Sequence, residues 1–208
     1  MILIGQYDSS FVRRVGIAMT LYEIAFEHRP WSVFGDAEKI RLYNPLVRVP
    51  TLVLGDGEVL IESASILDHL DNLMPADRRL YPASEPERHR ALKVASLAAG
   101  VAENAVSLFY ELRLHGQASE TLVDRRRGQI LGALAALEAD RASRSGDYWF
   151  GPLLGHADIT VAASLRHASE AHPGLVRPTE YPALTAHSER MEALPVFKSI
   201  SQPFIAPN

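Results

Sequence analysis

The segment Tyr7–Met19 reads YDSSFVRRVGIAM, and its two adjacent serines stand between a short apolar run and a helical pattern. Ser9 and Ser10 thus fall at the C-terminal end of a first strand and the N-terminus of a first helix. In an open α/β sheet, ligands bind outside that end of the strands. A helix N-terminus adds unpaired N–H groups and a partial positive charge, which suit an anion. The ordinary role of such residues is a cap: Asp8, Ser9 and Ser10 are all good N-cap types, and one of them closes the helix. Cap and anion site are compatible, because a cap satisfies only part of the orphan N–H set. A serine nucleophile does not match the pattern. There is no G-x-S-x-G elbow, and no histidine stands close in sequence to act as base.

A second set of candidates lies in VPTLVLGDGEVLIES. Pro50 removes an N–H and is tolerated at a strand start. It is either a trans proline that begins the strand or a cis Val49-Pro50 turn retained for a reason. Glu62-Ser63 opens another helix. The two readings are a cap in a capping-box neighbourhood and a second helix N-terminus that grips a carboxylate.

The elements that must hold these residues change character along the chain. Ile2, Leu3 and Ile4 form a continuous apolar run, as in a strand buried on both faces. Val15, Ala18, Met19 and Tyr22 follow at i, i+3, i+4 and i+7, which predicts a helix. A strand is expected around Phe26–Val33, interrupted by Pro30, and a short helix over Asp36–Leu42. Thr51–Leu54 and Val59–Ile61, separated by Gly55-Asp56-Gly57, read as a hairpin. Ile66, Leu67, Leu70, Leu73 and Met74 then repeat at helical spacing up to Pro75. The order βαβαββα requires a parallel, right-handed first pair and an antiparallel hairpin, hence a four-stranded mixed sheet. Residues 78–86 carry two prolines and read as a linker. Beyond it strand signals vanish, and helices are expected over Glu87–His115, Ser119–Ser143, Asp158–Ala171 and Tyr181–Leu194. The expected organisation is an α/β domain over 1–77 and an all-α helical bundle over 87–208.

Composition narrows the function classes. A net charge of −4 and a pI near 6.1 argue against a nucleic-acid binder and against electrostatic attachment to an anionic membrane. No signal peptide is expected at the N-terminus, and no apolar stretch is expected to approach a membrane span. With no cysteine among 208 residues, disulfides, thiolate metal sites and cysteine redox chemistry are excluded; a cytoplasmic protein is expected. The nearest histidines, His167 and His172, do not share a helix face, and there is no H-E-x-x-H, so no metal is expected. Arg125-Arg126-Arg127 spreads around a helix as a solvated face.

In combination, a serine at the helix head followed by FVRRV, then NPLVRVPTL, then EVLIESASIL, resemble the N-terminal domain of cytosolic glutathione transferases. The likeness is to the serine-type members, with bacterial, tau, zeta and beta groups in view. The helical remainder resembles that family's second domain, so the likeness spans the chain. It implies a thioredoxin-like first domain, glutathione as co-substrate, a small electrophile as second substrate, no metal and a homodimer. It also implies roles. Ser9 donates a hydrogen bond to the glutathione thiolate, with Ser10 as the alternative donor and Asp8 as an unhelpful neighbour. Val49, before a cis Pro50, pairs with glutathione through its backbone, as an added strand does. Glu62 holds the γ-glutamyl amino group and Ser63 its carboxylate. Arg48 either reaches the glycine carboxylate or is a solvated charge. Val47 stands where the family often has glycine, which implies a different loop shape. GPLLGHADITVAA resembles a core segment in which a Ser/Thr cap lies three residues before Asp; here the pair is Gly155 and Asp158, and Asp158 reads as a folding residue. Candidates for the electrophile wall are Phe11, Tyr110, Arg113 and His115, against the plainer reading that each is packing or surface. Two rivals stand beside conjugation: a non-catalytic binding or scaffold module, and a maleylacetoacetate-type isomerase. The latter group usually carries S-S-C where this chain has Ser9-Ser10-Phe11.

Overall fold

The computed structural model describes residues 1–206. Its N-terminal part is a four-stranded sheet in the order β2-β1-β3-β4. Strand β1 (Ile2–Ile4) lies parallel to β2 (Glu27–Arg29) and antiparallel to β3 (Thr51–Val53), which pairs with β4 (Val59–Ile61). Helices α1 (Ser10–Leu21) and α3 (Ser63–Asn72) cover one face, burying Val12, Val15, Met19, Ile66, Leu67 and Leu70 against Leu3 and Leu52. The opposite face packs Ile4 and Val53 under Ile40 of the short helix α2 (Ala37–Arg41). This is the expected βαβαββα, thioredoxin-like arrangement. Strand β2 is shorter than expected, because Pro30 follows it directly and has no N–H for the ladder.

After a 3₁₀ turn at Ala76–Arg78, the second part is helical. It comprises α4 (Glu87–Arg113), α5 (Glu120–Ala142), α6 (His156–Ala171), α7 (Pro182–Ala193) and α8 (Pro195–Ser199). Five residues are too few for periodicity to reveal α8. The core joins Val94, Ala98 and Leu108 of α4 to Ile130 and Leu134 of α5 and Val161 of α6. One expectation needs correction: α4 is long and apolar enough to cross a membrane by length and composition, its most apolar 18 residues having a mean hydropathy of 1.3. Its apolar residues are those of a bundle's central helix, packed between α5 and α6.

Buried polar contacts lock the halves together. Arg13 of α1, 2% exposed, donates to Glu192 of α7 and to the carbonyls of Phe197 and Ile200. The Tyr22 hydroxyl donates to Asp71 Oδ1 at 2.6 Å, which also accepts from the amides of Leu80 and Tyr81 at 2.8 and 3.2 Å. His156 Nε2 of α6 is 3.4 Å from the same oxygen. Burial alone would push the Asp71 carboxyl up, but the hydrogen bonds from His156 and Tyr22 hold it below the usual range.

Gly155 takes the N-cap position of α6. A Cβ built there would sit 2.9 Å from the Leu80 carbonyl oxygen, which also accepts the His156 amide at 3.0 Å. The linker therefore occupies the space a Ser or Thr side chain would need. Gly155→Ser is expected to destabilise the protein by about 1–2 kcal/mol, although serine is the better N-cap type. Urea unfolding measures this, and a stabilised variant would contradict the steric account.

Candidate functional site

The head of α1 is held against the loop before Pro50. Gly5 has φ of +127°, and a Cβ there would meet Val12 Cγ2 at 2.5 Å and Val49 Cβ at 2.8 Å. Glycine at this position lets Val49 lie beside the first turn of α1. The Val49–Pro50 peptide bond is cis. Val47 has φ of 51°, the left-handed region that glycine occupies readily. Valine holds this conformation at a cost of about 1–2 kcal/mol.

The two serines are not equivalent. Ser9 is the N-cap of α1, and its Oγ accepts from the Val12 amide at 3.5 Å. Ser10 is the first helical residue, 3% exposed, and its Oγ is buried without a partner. Asp8 Oδ2 accepts from the Ile205 amide at 3.1 Å, and its backbone oxygen accepts from His167 Nδ1 at 3.0 Å. Burial pushes the Asp8 carboxyl up.

Glu62 immediately precedes α3, with φ of 65° and no side-chain cap bond, so the capping-box reading of Glu62-Ser63 is corrected. Strain of this kind collects at ligand clamps. Glu62 Oε1 is 3.1 Å from Arg48 Nη1, both well exposed. Ser63 is 3% exposed, and its Oγ accepts from Arg14 Nη2 at 2.6 Å. Arg14 itself is 4% exposed. Its Nη1 donates to Thr160 Oγ1 at 3.4 Å, its Nε has no partner, and no carboxylate lies within ion-pair distance among the described residues. Burial lowers its pKa, opposed by the charges of Tyr81, Glu103 and Glu62. A desolvated guanidinium without a counter-ion sits behind Ser63, and it favours an anion there.

Between the sheet and the bundle lies a cavity of about 1060 Å³. Its walls come from the β1–α1 loop, the β2–α2 loop, the segment Val47–Val49, α4, and residues 204–206. Ser9, Ser10, Phe11, Arg48, Val49, Tyr110 and His115 all line it. Pro50, Glu62 and Ser63 stand outside its lining. Arg113 does not belong to it, which corrects its placement. Its guanidinium lies 6.0 Å from the Phe109 ring and lines a separate depression of about 420 Å³ with Arg127 and His172. Phe109 stands between the two spaces. The sequence reading missed Arg14, His167, Trp31, Phe34 and Phe204. Only Arg14 left a trace: a charge inside a helix whose neighbours Val12, Val15 and Ala18 are all core.

The comparisons with known proteins agree with this architecture. A glutathione S-transferase N-terminal domain model matches residues 3–78, and a C-terminal domain model matches residues 120–190. The chain is 30% identical to a probable maleylacetoacetate isomerase of Vibrio cholerae over 207 residues, covering 95% of this chain and 93% of that protein. It is 28% identical to glutathione S-transferase U12 of Arabidopsis thaliana, covering 92% and 76%. Among solved structures, a Pseudomonas fluorescens glutathione transferase family member with bound glutathione superposes with a TM-score of 0.82 at 28% identity, over 98% of this chain and 99% of that one. A Methylobacterium radiotolerans glutathione S-transferase in complex with glutathione sulfonate gives 0.89 at 26%, over 100% and 98%. With the sheet, the head of α1 and the helical bundle in place, these matches settle the lineage: the chain belongs to the glutathione S-transferase family.

Proposed function

We propose that this chain is a glutathione transferase in which Ser9 stabilises the glutathione thiolate for attack on a small electrophile. Residues 1–77 bind glutathione, residues 87–208 complete the electrophile wall, and 78–86 join them. One observation carries the reading. The Ser9 hydroxyl lines the cavity and acts in the cap only as an acceptor, so its hydrogen is free to donate to a thiolate. Ser10 Oγ is buried and without a partner, so it is the less accessible donor of the two. Val49 presents its backbone beside Ser9 to pair with the cysteinyl unit. Glu62 takes the γ-glutamyl amino group, Ser63 its carboxylate, and Arg48 the glycine carboxylate. Ultraviolet difference titration with glutathione tests the reading: thiolate absorbance is expected well below the pH at which a free thiol ionises, near ~8.5. A native protein that forms no thiolate would overturn it.

Arg14 supplies a second test. The γ-glutamyl carboxylate becomes the missing counter-ion of its buried guanidinium, through Ser63. Arg14→Met is expected to weaken glutathione binding by about ten-fold or more, since a hydrogen-bonded charge contributes roughly 1.5–3 kcal/mol. The unliganded variant should be no less stable, because an apolar replacement of an uncompensated buried charge is often neutral or stabilising. Calorimetry and thermal unfolding read the two quantities. An affinity loss that merely follows a stability loss would remove the assigned role.

The relatives named as maleylacetoacetate isomerases make glutathione-dependent cis–trans isomerisation the second reading. Turnover of a maleyl-type double bond would select it.

A further inference from the structure

We infer that the cavity beside Ser9 selects aromatic electrophiles that carry a positive charge and rejects organic anions; the inference rests on the glutathione reading above. Asp8 enters from the β1–α1 loop and Glu103 and Glu111 from α4, so acids face the space from two sides. The cations nearest the space are each engaged, Arg29 and Lys39 over the Trp31 ring and Arg14 over the Phe11 ring among them. Arg48 is engaged by Glu62 at 3.1 Å, at the glutathione end. His115 Nδ1 is 2.8 Å from Glu111 Oε2. His167 donates Nδ1–H to a backbone carbonyl, and burial keeps the ring neutral. Arg14 lies outside the lining, bonded to Ser63. Glu103 is exposed and has no ion pair or hydrogen bond among the described residues. Burial raises the pKa of Tyr110; the charge of Asp8 adds to that rise and the charge of Arg48 opposes it. Bound glutathione as thiolate adds net negative charge at the same mouth.

The rest of the lining is aromatic. Phe11, Trp31, Phe34, Phe109, Tyr110 and Phe204 supply rings from both halves of the molecule. Phe34 and Tyr110 meet edge to face at 5.6 Å, as do Phe109 and Phe204 at 5.2 Å. Ring faces attract a desolvated cation, and carboxylates beside them raise its local concentration. A dicarboxylate would find Arg48 held by Glu62 and committed to glutathione, and His115 held by Glu111. This argues against a maleyl-type substrate and for a cationic aryl or benzyl electrophile.

The test uses glutathione conjugates as product-like probes, so it does not depend on turnover. Glutathione, S-benzylglutathione, S-(4-carboxybenzyl)glutathione and the S-benzyl conjugate bearing a 4-trimethylammoniomethyl group are titrated calorimetrically at low and high salt. The cationic conjugate is expected to bind about ten-fold tighter than the neutral one and the carboxylate about ten-fold weaker, each step about 1.4 kcal/mol. Added salt should narrow the spread, and so should Glu103→Gln, an exposed change that the fold tolerates. If glutathione binds but the carboxylate conjugate matches or exceeds the cationic one, the inference falls and the glutathione reading stands. If glutathione itself does not bind, both fall.

Discussion

Ser9→Ala is expected to abolish the glutathione thiolate signal at pH 7 and to lower turnover by about 100-fold. Activity at neutral pH requires the thiol pKa to fall from ~8.5 by roughly two units, or about 2.7 kcal/mol. A hydrogen bond to a charged group supplies roughly 1.5–3 kcal/mol, and the N-terminus of α1 adds about 0.3–1 kcal/mol. Removing the hydroxyl leaves only the second contribution. The thiol then titrates within a unit of its free value, and the pH–rate profile moves to higher pH. The cap is lost as well, but the 3.5 Å bond to Val12 is long, so the stability cost should sit at the low end of about 0.5–2 kcal/mol. Ser9→Thr keeps both functions of the hydroxyl and should restore thiolate formation. Ser10→Ala removes a buried hydroxyl without a partner and should change neither signal nor stability appreciably. The reverse pattern, with Ser10→Ala silent and Ser9→Ala active, would transfer the role to Ser10.

Asp158→Ala is expected to lose about 3–5 kcal/mol of stability. Asp158 is 1% exposed and accepts from the amides of Trp149 at 2.8 Å and Gly155 at 2.9 Å. Alanine leaves both N–H groups buried and unpaired, at about 1–3 kcal/mol each. It also frees Trp149, itself 2% exposed, from the first turn of α6. For a domain of this length the midpoint should fall by about 10 °C. The effect depends on pH. Burial pushes the Asp158 carboxyl up to about 6, against backbone hydrogen bonds that pull the other way. A raised folded pKa means that this contribution is fully present below the unfolded value near 3.8 and is lost as pH rises through about 6. The gap between native protein and Asp158→Ala should therefore be wider at pH 5 than at pH 7.5. Thermal unfolding at the two pH values measures it, and a gap that is constant or narrower in acid would contradict the assignment.

The parts of this fold that were legible in the sequence are those set by local chemistry. The spacing of Val15, Ala18 and Met19 shows α1, the Gly55-Asp56-Gly57 turn shows the hairpin, and prolines mark the linker. Strand ends and helix heads then converge by topology, which is why Ser9, Val49 and Ser63 come from one side of one sheet. What was hidden depends on contacts distant in sequence. Nothing near Gly155 reveals that the Leu80 carbonyl fills its Cβ position. Spacing along α4 does not say that Phe109 divides Arg113 from Tyr110. The walls supplied by Trp31, Phe34 and Phe204 lie in segments without periodicity, so their side chains acquire a common purpose only in three dimensions.

The oxygen shared by Tyr22, Leu80, Tyr81 and His156 bears on inheritance. Asp71 and Tyr22 belong to the sheet-bearing half, His156 to the helical half, and two donors to the passage between them. A recombinant that took one half from a relative would confront a dry carboxylate with an unmatched surface, and the mismatch would be felt far from any substrate. In this chain the two halves are therefore matched to each other at that seam, and an exchanged half would have to bring partners for the same oxygen.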